Sequence, residues 1–360
     1  MSATNTTAPD SICLIRLSAI GDCCHVLPVI HTLQHAFPNT PVTWIIGKTE
    51  HRLMEGMQGI EFIIFDKSQG WRSWLALKKQ LRGRRFPVLL NMHASMRANF
   101  VSTAVDAQRR IGFDRVRARD YQWLFCNDRI PHAPQQHVCD AMLGFARHLG
   151  IREEIIDWSI PLADADRAYA RKTLAHDGPV CVISPCSSQR ARNFRNWSLD
   201  NYRKVIDTLA HEYGAKIFLT GANTQIEQEY AAALQQHGAG SVVDLNGKTS
   251  LKQLVAIYAA ADLVIAPDSG PVHMATAVGT PVIGLYATSN PLRTGPFRDP
   301  LELTVNRYPE AAQAEFAKSV SELRWGQRVR NPDAMNLITA DEVAAKIARA
   351  LAEPDSLEAI

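Results

Sequence analysis

Two stretches carry side chains able to do chemistry, Arg16-Leu-Ser18-Ala-Ile-Gly21-Asp22 and Asp268-Ser269-Gly270-Pro-Val-His273. Each follows an apolar run that reads as a buried strand. In open parallel sheets, ligands bind beyond the carboxyl ends of strands. A helix opening there presents free N–H groups and its positive dipole end to an anion. In the second stretch Gly270 and Pro271 open a small-residue helix that stops at Gly279, with Ser269 adding a hydroxyl and His273 an imidazole. Singly, Asp268 reads as a helix N-cap and His273 as an ordinary helix histidine. Together they read as a phosphate or sugar site. Asp22 reads either as an N-cap or as a carboxylate that takes a proton from a hydroxyl nucleophile. Gly21 lets a substrate approach the backbone closely. The turn lacks the three glycines of a dinucleotide fingerprint, which argues against a nicotinamide enzyme.

Ser184-Pro-Cys-Ser187-Ser188 ends another apolar run and reads either as a Ser-rich loop or as a phosphate cradle. Arg190, Arg192 and Arg195 follow it, and arginine–phosphate bonds are among the stronger polar contacts. These strand ends and cations make a candidate diphosphate site. Residues 71–85 mix Trp71, Trp74 and leucines with basic residues, as in a solvated surface helix or an interfacial, anion-accepting face. Residues 1–160 hold 19 Lys+Arg against 14 Asp+Glu, whereas residues 161–360 hold 20 against 22. An acidic partner for the first half follows from that asymmetry. No nucleic-acid module accompanies the basic stretch, so nucleic acid is not expected. His31 and His35 lack a third ligand, and Asp164-Ala-Asp166 suits a helix start, so no metal site is expected.

Strands must deliver these groups. Apolar runs at 12–17, 42–46, 61–65 and 88–92 alternate with helical stretches at 23–37 and 137–149, implying a parallel sheet. After a helix at 164–174 the pattern restarts with strands at 180–184, 216–220, 242–245, 263–266 and 281–286. Helices are expected at 199–213, 225–237, 251–260 and 341–352, the last capped by Thr339 or Asp341. At 360 residues, two domains are the prior. Seven cysteines without a CxxC pair, a polar N-terminus and no long apolar run point to a cytosolic chain without a membrane span.

These motifs resemble the lipopolysaccharide heptosyltransferases, glycosyltransferase family 9. The likeness spans nearly the whole chain and rests on the two opening stretches. Gln135-Gln-His137, Arg195-Asn-Trp197 and Gly247-Lys-Thr-Ser-Leu251 support it. Their order is most similar to the heptosyltransferase I branch, which adds the first heptose to Kdo. The resemblance implies an α/β GT-B fold, two Rossmann-like domains facing a cleft. The expected domains are residues 1–165 for the acceptor and 175–338 for the nucleotide sugar, with residues 339–360 as a helix returning to the first domain.

It implies inverting, metal-independent and cofactor-free transfer of L-glycero-D-manno-heptose from ADP-heptose to Kdo-lipid A. It further implies a cytoplasmic protein in transient contact with the inner face of the cytoplasmic membrane. Asp22 matches the catalytic base. Asp268, Ser269, Gly270 and His273 match the loop holding heptose and diphosphate, Ser187 and Ser188 a hydroxyl pair on the phosphates, and Thr249 an adenosine contact. Arg195 stands where the family usually has lysine, and Gln225 or Glu227 stands near a displaced acid. Ser18, Gly21, Arg97, Arg119 and His137 are the expected acceptor contacts. The alternatives are a nucleotide-sugar epimerase of the same fold and a non-catalytic sugar-nucleotide or lipopolysaccharide binding protein.

Overall fold

Fully buried β1 (Ile12–Arg16) is the first strand of a six-stranded sheet. It is joined by β2 (Val42–Gly47), β3 (Ile60–Phe65), β4 (Phe86–Asn91), β5 (Ala107–Gly112) and β6 (Asp128–Arg129). A second six-stranded sheet contains β7 (Val180–Ile183), β8 (Lys216–Leu219), β9 (Val242–Asp244), β10 (Leu263–Pro267), β11 (Val282–Tyr286) and β12 (Val305–Asn306). Both are parallel throughout. The computed structural model describes residues 8–187, 194–300 and 302–352. Two compact units result, Met1–Pro161 and Leu162–Ile360.

Strand orders are β3-β2-β1-β4-β5-β6 and β12-β11-β10-β7-β8-β9. Each is the doubly wound Rossmann order, in which the chain leaves a central strand in both directions. The switch points therefore lie between β1 and β4 in the first unit and between β7 and β10 in the second. The expected α/β class with two Rossmann-like domains is what the chain adopts.

Alternate residues of each central strand face opposite layers, and both layers are covered, hence the near-continuous apolar strand sequences. In the first unit Cys13, Ile15 and Leu17 pack with Leu77 and Leu81, at the helix Trp71–Gln80, and with Ala98 and Val101 of Met96–Ser102. In the second, Cys181 and Ile183 pack with Val205, Ile206 and Leu209 of the helix Leu199–Tyr213.

Two helices near the ends of the second unit pack within it. The helix Asp164–Thr173, whose start was assigned to the first domain, packs on Leu251–Ala259 within the second unit. The last helix, Ala340–Ala350, puts Val343 and Ile347 into the second unit's core against Leu199–Tyr213. Its cap is Thr339, whose hydroxyl accepts the Glu342 N–H.

β5 and β6 went unseen in the sequence because β5 carries Gln108, Arg109 and Arg110. The structure satisfies those charges locally. Arg109 Nε pairs with Asp128 at 2.5 Å, and Arg110 donates to the carbonyls of Val105, Ser102 and Phe125. All seven cysteines are buried thiols, none of them in a disulfide. Among the described residues, no helix is long and apolar enough to cross a membrane.

Candidate functional site

At the first switch point, β1 ends in Arg16 and the helix Ile20–Cys24 begins two residues beyond Ser18. Asp22 is the third residue of that helix, not its N-cap, and its Oδ2 accepts the Ala19 N–H at 3.3 Å. The same oxygen takes Arg16 Nη2 at 2.5 Å. Arg16 is buried, and its Nη1 donates to the Met92 carbonyl at 2.7 Å, just beyond β4. The guanidinium thus ties the two strand ends together and fixes a half-exposed carboxylate over them.

His93 follows on the β4 side. Its Nδ1 accepts the Leu17 N–H at 3.2 Å. Burial, with the positive charge of Arg16 beside it, pushes the imidazole down to about 3, although Asp22 opposes the shift. His93 is therefore neutral at physiological pH. With Nδ1 accepting, its proton sits on Nε2, as a donor. Sequence reasoning missed both Arg16 and His93 as functional residues. Arg16 lay within the quoted motif; His93 had only its position beyond a strand end as a signal.

The expected acceptor contacts lie on loops and helix starts of this unit. Ser18 lies in the turn after β1, and Gly21 is the second residue of the helix Ile20–Cys24. Arg97 is exposed in the first turn of Met96–Ser102, and Arg119 is exposed in the loop after β5. His137 caps Val138–His148, its Nδ1 accepting the Cys139 N–H at 3.0 Å, and its ring meets His25 edge-on at 5.4 Å.

In the second unit two consecutive residues tie one segment to the second switch point, and the next anchors it in the core. Arg195 Nη1 donates to the Asp268 carbonyl at 2.5 Å and lies 3.4 Å from its Oδ2. Asn196 Oδ1 accepts from Ser187 N at 2.9 Å and Ser187 Oγ at 3.1 Å. Trp197 is fully buried and donates to the Ile338 carbonyl at 3.0 Å. Ser187 and Arg195 are thus brought together at the ends of β7 and β10. Ser188, Arg190 and Arg192 lie outside the described residues.

Asp268 is 5% exposed, and its Oδ2 also accepts Ser289 Oγ at 2.7 Å and faces Arg328 Nη2 at 3.7 Å. The cap of Gly270–Ala277 is Ser269, whose Oγ donates to the Pro267 carbonyl at 2.8 Å. His273 is half-buried one turn into that helix. A buried carboxylate requires such partners, since unpaired it would be strongly disfavoured. Ser289 and Arg328 were invisible in the sequence, being 21 and 60 residues beyond Asp268.

The remaining predicted residues divide. Glu227 is buried and closes a capping box: its oxygens accept Ala222 N at 3.0 Å, Thr224 N at 2.7 Å and Thr224 Oγ1 at 2.6 Å. Gln225 is exposed and donates to Glu229 along its own helix. Thr249 is half-buried in the turn after β9. There Gly247 has φ +66°, and a Cβ on it would stand 2.5 Å from that of Asn223, so the turns after β8 and β9 touch only because position 247 is glycine. Among the described residues, no group of three or more His, Cys, Asp or Glu could hold a metal ion.

Both switch points thus carry chemistry, a positioned carboxylate in one unit and cations with a helix N-terminus in the other. Comparison with known proteins gives the same direction. A family model described as glycosyltransferase family 9 (heptosyltransferase) matches residues 74–325. The chain is 38% identical over 342 residues to the lipopolysaccharide core heptosyltransferase OpsX of Haemophilus influenzae, covering 95% of this chain and 97% of that protein. Against lipopolysaccharide heptosyltransferase 1 of Escherichia coli K12 it is 24% identical over 296 residues, 78% of this chain and 88% of the other. The solved structure of the E. coli heptosyltransferase WaaC with ADP matches with a TM-score of 0.71 at 19% identity, covering 94% of this chain and 99% of that one. A second structure of that enzyme, with ADP-2-deoxy-2-fluoro heptose, matches with a TM-score of 0.69 at 18% identity, covering 94% and 98%.

Proposed function

We propose that this chain, which belongs to glycosyltransferase family 9, moves L-glycero-D-manno-heptose from ADP-heptose to a Kdo residue of Kdo-lipid A, inverting the anomeric centre without a metal ion. Its place as a heptosyltransferase of lipopolysaccharide core synthesis follows from the family match and from 38% identity along 95% of the chain. The finer reading rests on the site.

The observation that carries it is the Asp22 carboxylate, held at the β1–β4 switch point by Arg16. In this reading Asp22 takes the proton of a Kdo hydroxyl as that oxygen attacks C1 of the heptose. The bond from C1 to the diphosphate oxygen breaks, and ADP leaves with the electron pair. A positioned general base contributes typically 10²–10⁴-fold. Ser18, Gly21, Arg97, Arg119 and His137 line the acceptor side, with arginines suited to Kdo carboxylate and lipid A phosphate.

On the donor side, Arg195, Ser187 and the N-terminus of Gly270–Ala277 receive the charge that develops on ADP. Fixed cations and dipoles of this kind do the work a divalent ion does elsewhere. Asp268 orients Arg195 and, with His273, meets the sugar; Thr249 meets adenosine. The ADP complex and the fluoro-heptose complex of the E. coli enzyme support an ADP-heptose donor. The acceptor places the protein at the inner face of the cytoplasmic membrane.

The test is a panel of ADP-heptose, UDP-sugars and GDP-sugars against Kdo-lipid A, with and without EDTA, read by product mass. One heptose added from ADP-heptose alone, undiminished by EDTA, is expected. Conversion of the donor without acceptor would replace this reading with an epimerase. Tight ADP binding without turnover would replace it with a binding protein, and loss of product in EDTA would overturn metal independence.

A further inference from the structure

The helices Trp71–Gln80 and Met96–Ser102 cover one face of the first sheet, and their outer surfaces are unlike an ordinary solvated layer. Trp71 is 66% exposed and Leu75 47% exposed, four residues apart on one helix face. On the neighbouring helix Met96 and Phe100, also four apart, are each 48% exposed. The two pairs belong to one surface, because Trp74 stacks on Phe100 at 5.3 Å and donates its Nε1–H to the Phe100 carbonyl. A contiguous apolar patch of this kind marks an interaction site, where scattered leucines would not.

Its charges say what it meets. Arg72, Lys78 and Lys79 are exposed on the first of these helices and Arg82 just beyond it, and Lys78 Nζ lies 5.0 Å from the Trp74 ring centre. None of the four has an acidic partner among the described residues, whereas Arg84, Arg109 and Arg117 of the same unit are paired with Glu61, Asp128 and Asp114. Tryptophan and leucine interleaved with unpaired cations suit the headgroup region of a bilayer, where the rings enter the acyl boundary and the cations remain among phosphates. Lysine is depleted at protein–protein interfaces, and Lys78 stands over the Trp74 ring on this face.

The geometry points to the joined outer faces of these two helices as a docking surface for an anionic phospholipid bilayer. It rests on the reading of a lipid-anchored acceptor, and it makes the bilayer itself, in addition to the acceptor headgroup, a ligand of the first unit.

The test is co-sedimentation of the full chain with phosphatidylcholine vesicles and with mixed phosphatidylcholine–phosphatidylglycerol vesicles, none containing acceptor. Retention on the mixed vesicles and its loss at high salt are expected. Lys78→Gln with Lys79→Gln should weaken binding by about 25-fold, at about fivefold per surface charge. Trp71→Ala with Leu75→Ala should weaken it by at least about tenfold. These side chains are exposed, so melting temperatures should not move, and transfer to a deacylated, water-soluble acceptor should be unchanged. No retention, equal retention on neutral vesicles, or undiminished binding by the variants overturns the proposal. So does a dimer in sedimentation velocity that Trp71→Ala dissociates, which would assign the face to self-association. Because no acceptor is present, failure here would leave the heptosyltransferase reading intact.

Discussion

Acid should weaken this protein through one identifiable histidine. His93 is held neutral, its imidazole pushed down to about 3 from 6.5 by burial and by Arg16. The unfolded chain has no such constraint and binds a proton near 6.5. Stability is therefore unaffected well above that value and is lost as pH falls from about 6.5 toward 3, because only the unfolded state takes up the proton. By about pH 5 the gap spans roughly 1.5 pH units, which at 1.36 kcal/mol per unit costs about 2 kcal/mol at most. The perturbation is His93→Gln, whose side-chain oxygen can still accept the Leu17 N–H that Nδ1 accepts now. Urea unfolding at about pH 7.5 and pH 5 should show the wild type losing about 2 kcal/mol more than the variant. Both far-UV ellipticity and tryptophan fluorescence should be followed, since two compact units need not unfold together. Equal acid losses in the two proteins would refute the reasoning, as would an imidazole proton resonance for His93 that titrates near pH 6.5.

Three further outcomes follow. Glu227→Ala removes three capping hydrogen bonds and should cost about 1–2 kcal/mol in thermal unfolding while changing ADP affinity less than about threefold. A tenfold affinity loss at unchanged stability would instead return Glu227 to the donor. Arg328 is half-exposed at 3.7 Å from Asp268, a geometry worth about 0–1 kcal/mol to folding, so Arg328→Ala should leave the melting temperature nearly unchanged. It should nonetheless lower ADP affinity about tenfold and AMP affinity much less, as isothermal titration would show, if its cation meets the second phosphate. Asp268→Ala removes the buried carboxylate that pairs Arg195 and accepts Ser289, and should destabilise the second unit by about 3–5 kcal/mol, with Asp268→Asn milder, measured by urea unfolding.

The sequence made the switch-point strands legible because they are apolar runs that end in polar turns. Both β1 with its Asp22 turn and β10 with its Asp268 turn were found that way. It hid β5, where two arginines sit in the strand and are satisfied by Asp128 and by backbone carbonyls brought up from elsewhere. It likewise hid every partner whose contact is long-range. Arg16 and Asp22 stood six residues apart in one motif, yet that Arg16 grips both the carboxylate and β4 depends on the sheet order. Ser289 and Arg328 reach Asp268 only once β11 and the chain beyond it are in place. Capping was one of the two readings left open for Asp22 and for Asp268. Asp22 and Asp268 looked like N-caps, but Ala19 and Ser269 occupy those positions, which releases each carboxylate to hold an arginine.

The central claim is that Asp22 removes the acceptor proton while the second unit holds the donor. Single-turnover transfer from ADP-heptose to Kdo-lipid A by Asp22→Asn, beside ADP titration of the same variant, tests it most directly. The account predicts a rate lowered by about 10²–10⁴-fold with ADP affinity within about threefold of wild type. A variant that transfers heptose within about tenfold of the wild-type rate would contradict it.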